Sequence, residues 1–156
     1  MTQATISVLR FSLGDQEYAI STKQVMEVLR MVTVTPLPTA PGFVEGVINR
    51  RGETTAILNL RRRLGLKPSK PTSDSRIIVV EMDKKPVGIV VDAVSNVESL
   101  PAQDVDSPSS YPVAVDEQFV FGIAKAREHP VVLLNLEHLI EPEQRQDFSE
   151  LLTTDL

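Results

Sequence analysis

The chain carries one pattern twice, and a duplicated pattern restricts it to architectures built from two similar units. Phe43-Val44-Glu45-Gly46-Val47-Ile48 is echoed by Phe119-Val120-Phe121-Gly122-Ile123-Ala124, and Leu58-Asn59-Leu60 by Leu134-Asn135-Leu136. Both echoes stand 76 residues apart, so 43–64 aligns with 119–140 without a gap, and 7 of those 22 columns are identical. Upstream the spacing is 69: Ile20 matches Ile89, Val25 matches Val94 and Val28 matches Val97. The second copy therefore holds seven additional residues in its middle, near Ser107 to Gln118. A gene-duplicated pair of small modules, two lobes with a cleft between them, is the reading these spacings support.

Local patterns make both modules β-rich. Val8 to Leu13 alternates as a strand does, Gly14-Asp15 turns the chain, and Glu17 to Ile20 returns it. Ser21 to Gln24 has the form of a capping box, but β-branched Val25, Val28, Val32 and Val34 predict a strand over 25–34 after a single helical turn. Three prolines between Thr35 and Gly42 exclude a regular ladder there. Gly46 to Asn49 and Thr55 to Leu60 read as strands joined at Arg51-Gly52-Glu53, and Arg61 to Leu66 as a short helix ending at Gly65.

The polar, proline-rich stretch Lys67 to Ser75 is the expected seam between modules. Beyond it, Arg76 to Met82, Pro86 to Val91 and Val94 to Leu100 repeat the opening, and Pro101 to Gln118 reads as a long loop. Phe119 to Lys125 and Pro130 to Leu136 close the second module, and Phe148, Leu151 and Leu152 stand at helical spacing in the tail. About five short strands per module suit a small barrel better than a flat sheet. The expectation is a mainly β protein of two packed five-stranded barrels, over 8–66 and 76–140, with a short C-terminal helix over 141–155.

Composition narrows the function. A net charge of −5 argues against a nucleic-acid binder, which presents a basic face. With no cysteine there are neither disulfides nor thiolate metal sites, in keeping with a reducing compartment. The sequence shows no signal-peptide pattern, and its longest apolar runs are far below a membrane span, so a cytoplasmic location is expected. His129 and His138 are the only histidines and lack any metal-ligand spacing; no nucleophile elbow, phosphate loop or apolar-flanked acid pair appears. No catalytic residue, cofactor or metal is expected. The one unusual cluster is basic: Arg50, Arg51, Arg61, Arg62 and Arg63 put 5 of 16 basic residues within 14 positions, either a solvated face or a docking surface for a polar partner.

These motifs, taken in order, resemble the CheW family of chemotaxis adaptor proteins. Phe11-Ser12-Leu13-Gly14-Asp15-Gln16-Glu17-Tyr18-Ala19-Ile20 is similar to that family's first hairpin, and Val25-Met26-Glu27-Val28-Leu29-Arg30 to its next strand. Thr35-Pro36-Leu37-Pro38 is similar to the loop that follows. Gly46-Val47-Ile48-Asn49-Arg50-Arg51-Gly52 resembles its most recognisable stretch, and Val87 to Val94 the second-module counterpart. The likeness runs from about Val8 to Ile140.

The resemblance implies two SH3-like barrels, no enzymatic activity, and a bridge between methyl-accepting chemoreceptors and the regulatory domain of the histidine kinase CheA. It implies that the receptor's cytoplasmic tip is met by Val25, Glu27, Arg51, Val94 and Val97; Arg50, from the basic cluster and not from the resemblance, is a possible further docking residue. On an extended chain Arg50 is expected to point away from Arg51, and Glu27 and Arg51 to pair. Arg50, Thr54-Thr55-Ala56 and Asn59 depart from the family's usual residues, leaving open which pathway is served. The rival readings are a CheA-like regulatory module, an adaptor of another chemosensory pathway, and an SH3-like-barrel nucleic-acid protein.

Overall fold

A computed structural model describes residues 4–37, 42–125 and 129–139. The chain opens with the hairpin β1 (Thr5–Leu13) and β2 (Gln16–Ser21), then β3 (Val25–Arg30), β4 (Val44–Arg50), β5 (Glu53–Asn59) and the helix α1 (Leu60–Arg63). The second copy runs β6 (Arg76–Met82), β7 (Lys85–Val91), β8 (Ala93–Pro101), β9 (Val105–Asp106), β10 (Val120–Ala124) and β11 (Val131–Leu134). The single helical turn expected after Ser21 is a 3-10 turn, and the short helix expected over 61–66 is α1, which starts one residue earlier. Ser21 caps Thr22–Gln24, and Asn135 caps Leu136–His138 as Asn59 caps α1. The expected C-terminal helix lies outside the described residues.

The strands form two sheets, β3-β6-β7-β5-β4 and β8-β1-β2-β11-β10-β9. Each closes on itself in the same way. Beyond β3 the chain bends so that Thr35 bridges back to Val47 of β4. Beyond β8 it turns once and continues as β9, which pairs with β10. The strand expected over 25–34 therefore ends at Arg30, and the long loop expected over 101–118 contains the closing strand β9. Two five-stranded barrels result, β8 and β9 being two stretches of one path.

The barrels do not divide the chain at 66 and 76 as expected. One sheet takes β3 to β7, all within 25–91, and the other takes the opening hairpin together with β8 to β11. Each barrel thus borrows its hairpin from the other copy. The physical reason lies in the connections. A single residue, Asp92, separates β7 from β8. A hairpin needs at least a two-residue turn, so β8 cannot fold back along β7 and passes to the other sheet. β3 likewise leaves β2 through the 3-10 turn Thr22–Gln24 and pairs with β6 in the other sheet. Since the two repeats are alike, local and exchanged partners satisfy one pattern equally well, and the pattern cannot choose between them.

The repeat itself is preserved in register. β4 shifts against β5 between Val44 and Gly46, and β10 shifts against β11 between Val120 and Gly122, at the same offset. Both glycines sit where the closing segment crosses. A β-carbon on Gly46 (φ 150°) would stand 2.0 Å from the Thr35 carbonyl oxygen, and one on Gly122 2.5 Å from Val105.

Central strands are buried on both faces, which is why they read as unbroken apolar runs. Ile77 and Val79 enter a small cluster with Ile48 and Ile57, whereas Ile78 and Val80 enter a large one shared by both sheets. The apolar residues Ile20, Ile57, Leu60, Ile78, Val80, Ile89, Val91, Ile123, Leu133 and Leu136 of these elements are buried. Val47 is only half-buried, because the shift at Gly46 turns Ile48 inward instead. At the seam the Arg63 guanidinium lies 4.9 Å from the ring centroids of both Phe43 and Phe119, which are repeat equivalents, and its Nε donates to the Leu139 carbonyl.

A polar clamp also ties the sheets. Arg61, on α1, ion-pairs with Asp92, and the Gly14 amide of the opening hairpin donates to the same carboxylate at 2.7 Å. Burial alone would raise the Asp92 pKa, but the Arg61 and Gly14 hydrogen bonds outweigh it and hold the carboxyl below its ordinary range. A depressed folded pKa means that the clamp's stabilisation is present above the ordinary carboxylate pKa and lost as pH falls through the lower folded value. Asp92→Asn is expected to lower the melting temperature at pH 7 and to flatten its decline on acidification, checked by thermal melts between pH 2 and 7.

Candidate functional site

β3 and β8 are repeat equivalents and carry equivalent valines. Val25 faces Val80 and Val28 faces Ile78 across the ladder; Val94 faces Phe11 and Val97 faces Leu9. All four partners belong to the core cluster shared by the sheets, so the four valines face the inter-barrel side. Val25 and Val94 are half-buried against that cluster, whereas Val28 is 40% and Val97 62% exposed. Met26 and Val32 add further exposed apolar surface around β3. The shared core therefore continues outward into a ledge that nothing among the described residues covers.

A polar corner adjoins the ledge. Glu27 follows Val25 and Met26 on β3, an edge that barrel closure brings beside β4 and its turn. Its Oε2 accepts from Arg51 Nη2 at 3.1 Å, the pairing expected from the sequence. The expectation for Arg50 is overturned: its Nε binds the other oxygen of the same carboxylate. Strand alternation does not reach this far, because Arg51 (φ 53°) and Gly52 (φ 79°) are left-handed turn residues that swing both guanidiniums toward Glu27. The two arginines differ in setting, the Arg50 side chain being 10% exposed and that of Arg51 78%. Arg50 is a structural partner and Arg51 a presented one.

Of the basic cluster, Arg61 and Arg63 are engaged inside the seam, and Arg62 Nη1 donates to the Gly42 carbonyl. Its five members do not form one docking patch. His129 is exposed, and His138 Nδ1 lies 2.8 Å from the Gln118 carbonyl oxygen. Among the described residues no three His, Cys, Asp or Glu side chains are grouped to hold a metal, and no helix is long and apolar enough to cross a membrane. Sequence reasoning missed the exposure of Val28, although its match to Val97 was visible in the 69-residue spacing. It also missed Phe121 (59% exposed), which occupies the place of Glu45 in the first copy.

Two closed barrels exchanging hairpins, with equivalent open valines at the seam, define a paired-barrel scaffold. Residues 7–144 match the CheW-like domain family, and the chain belongs to it. It is similar to the probable chemotaxis protein CheW of Rhizobium etli, 32% identical over 139 residues, covering 89% of this chain and 90% of that one. It is 30% identical to the chemotaxis protein CheW of Rhizobium meliloti, with 94% of each covered. Among solved structures, the scaffolding protein TtCheW of Thermoanaerobacter tengcongensis superposes with a TM-score of 0.82 at 32% identity, covering 90% of this chain and 96% of that one.

Proposed function

We propose that the chain is a non-enzymatic cytoplasmic adaptor that couples methyl-accepting chemoreceptors to the histidine kinase CheA. The observation that carries this reading is the open ledge of Val25, Val28, Val94 and Val97. An amphipathic helix, such as those of a receptor's cytoplasmic tip, lays an apolar stripe into a groove of this kind. Drawing two valines from each sheet, the ledge makes binding depend on how the barrels are set against each other. The exposed Arg51, fixed by Glu27, supplies a directional charge at the rim, where it contributes specificity more than affinity. The regulatory domain of CheA is the second partner in this reading.

The test is co-sedimentation with a receptor cytoplasmic fragment and CheA, with kinase output measured. The ion pair that the solvent-exposed Arg51 makes with Glu27 is worth only about 0–1 kcal/mol to stability. Arg51→Ala is therefore expected to leave the melting temperature nearly unchanged while weakening receptor coupling. Arg50→Ala strands a mostly buried carboxylate with one exposed partner and is expected to be the more destabilising, by about 1–3 kcal/mol. Arg51→Ala coupling at the unmodified level would defeat the proposed role of that residue. Co-sedimentation with CheA but never with receptor would favour the CheA-like regulatory module instead.

A further inference from the structure

We propose that Arg30, Arg76 and the turn Thr72–Ser75 form a binding site for a phosphate-class oxyanion. Arg30 ends β3 and Arg76 opens β6, and they are direct partners across the antiparallel ladder. Directly opposed residues project to the same side of a sheet, so two cations share one face, an arrangement that is repulsive by itself. Both line a cavity of about 430 Å³ completed by Met31, Thr72, Ser73 and Ser75. No carboxylate lines it, in a chain carrying 21 acidic residues. Asp74, the turn's own acid, is exposed and stands outside the cavity lining. Among the described residues neither arginine forms an ion pair.

The site is also pre-ordered. Arg76 Nη1 donates to the carbonyls of Ser73 (2.9 Å) and Ser75 (2.8 Å), leaving its Nε and Nη2 free to bind. The turn is fixed by the Thr72 amide donating to the buried Ser75 hydroxyl at 2.8 Å and by the Asp74 amide donating to Thr72 Oγ1 at 3.2 Å. Thr72 Oγ1 thereby keeps its proton for a ligand, as does the Ser73 hydroxyl. Side-chain donors from two strands and one turn, with no carboxylate opposing them, suit an oxygen-rich anion. A tetrahedral one engages donors from divergent directions better than a planar carboxylate. The ligand is free phosphate or a phosphate monoester on a larger molecule.

The deciding experiment is amide NMR titration of the full chain at constant ionic strength, with inorganic phosphate in one arm and glycerol 3-phosphate in the other. The proposal expects saturable shifts confined to Arg30–Met31 and Thr72–Arg76. Arg30→Gln should weaken binding about tenfold or more, and Arg62→Gln should leave it unchanged. Stronger binding of the monoester identifies a phosphorylated molecule as the source, and equal binding identifies the free ion. Arg76 also holds the turn, so the exposed Arg30 is the variant that decides, with its fold checked by thermal melting. No saturable shift in either arm, shifts spread equally over Arg62 and Lys84, or undiminished binding by Arg30→Gln would overturn the site.

Discussion

Gly46→Ala is expected to be among the most damaging single substitutions in this chain. At φ 150° an added side chain is strained by about 1–3 kcal/mol, and its β-carbon would sit 2.0 Å from the Thr35 carbonyl oxygen. That obstacle is backbone, so relief requires the closing segment to move away. The Thr35–Val47 bridge, with hydrogen bonds of 2.8 Å in both directions, would then open. Overpacking adds about 1–3 kcal/mol, so a loss of roughly 3 kcal/mol or more is expected in a denaturant melt. Gly122→Ala, which would meet a Val105 methyl at 2.5 Å and the Asp106 carbonyl oxygen only at 2.9 Å, without a left-handed φ, should lose less. Equal stability of Gly46→Ala and the unmodified chain would show that the crossing is not tight.

Leu60→Ala is the second large effect. Leu60 is fully buried in the core shared by both sheets, directly after the Asn59 cap that starts α1. Truncating such a leucine costs roughly 2–5 kcal/mol, the spread reflecting how far the surroundings collapse into the space. Because the cluster belongs to both barrels, unfolding should stay a single transition with a lower midpoint. Val97→Ala makes the informative contrast, since the same apolar seam is open at that position. It is expected to leave the midpoint nearly unchanged and to reduce receptor co-sedimentation. A destabilised Val97→Ala would place that residue in the core rather than on the ledge.

Much of this fold was legible because each strand signal is local. Alternation, Gly14-Asp15 and Arg51-Gly52-Glu53 gave the hairpins, and 69- and 76-residue spacings gave their equivalence. What stayed hidden depends on non-local competition. Two interchangeable repeats give no pattern that says which hairpin joins which barrel; only the one-residue connection at Asp92 does. β9 is two residues long, too short for any periodic signal. In the site, Glu27 and Arg51 were found through family resemblance, and their pairing follows from barrel closure. Arg50 was misplaced because period-two reasoning was carried across a turn where the backbone adopts positive φ.

The borrowed hairpins also set a timetable for the growing chain. The barrel made of β3 to β7 has every strand once residue 91 has emerged. β1 and β2 are made earlier yet must wait for β8, where Thr5 faces Pro101, and for β11, where Glu17 faces Val131. At roughly 5–20 residues per second, that interval lasts several seconds or longer, with both edges of the hairpin unpaired. Open edges invite pairing with a neighbouring chain. The waiting hairpin carries its own deterrent: Arg10 and Glu17, 3.2 Å apart, place a charge on each of its strands until the matching strands arrive.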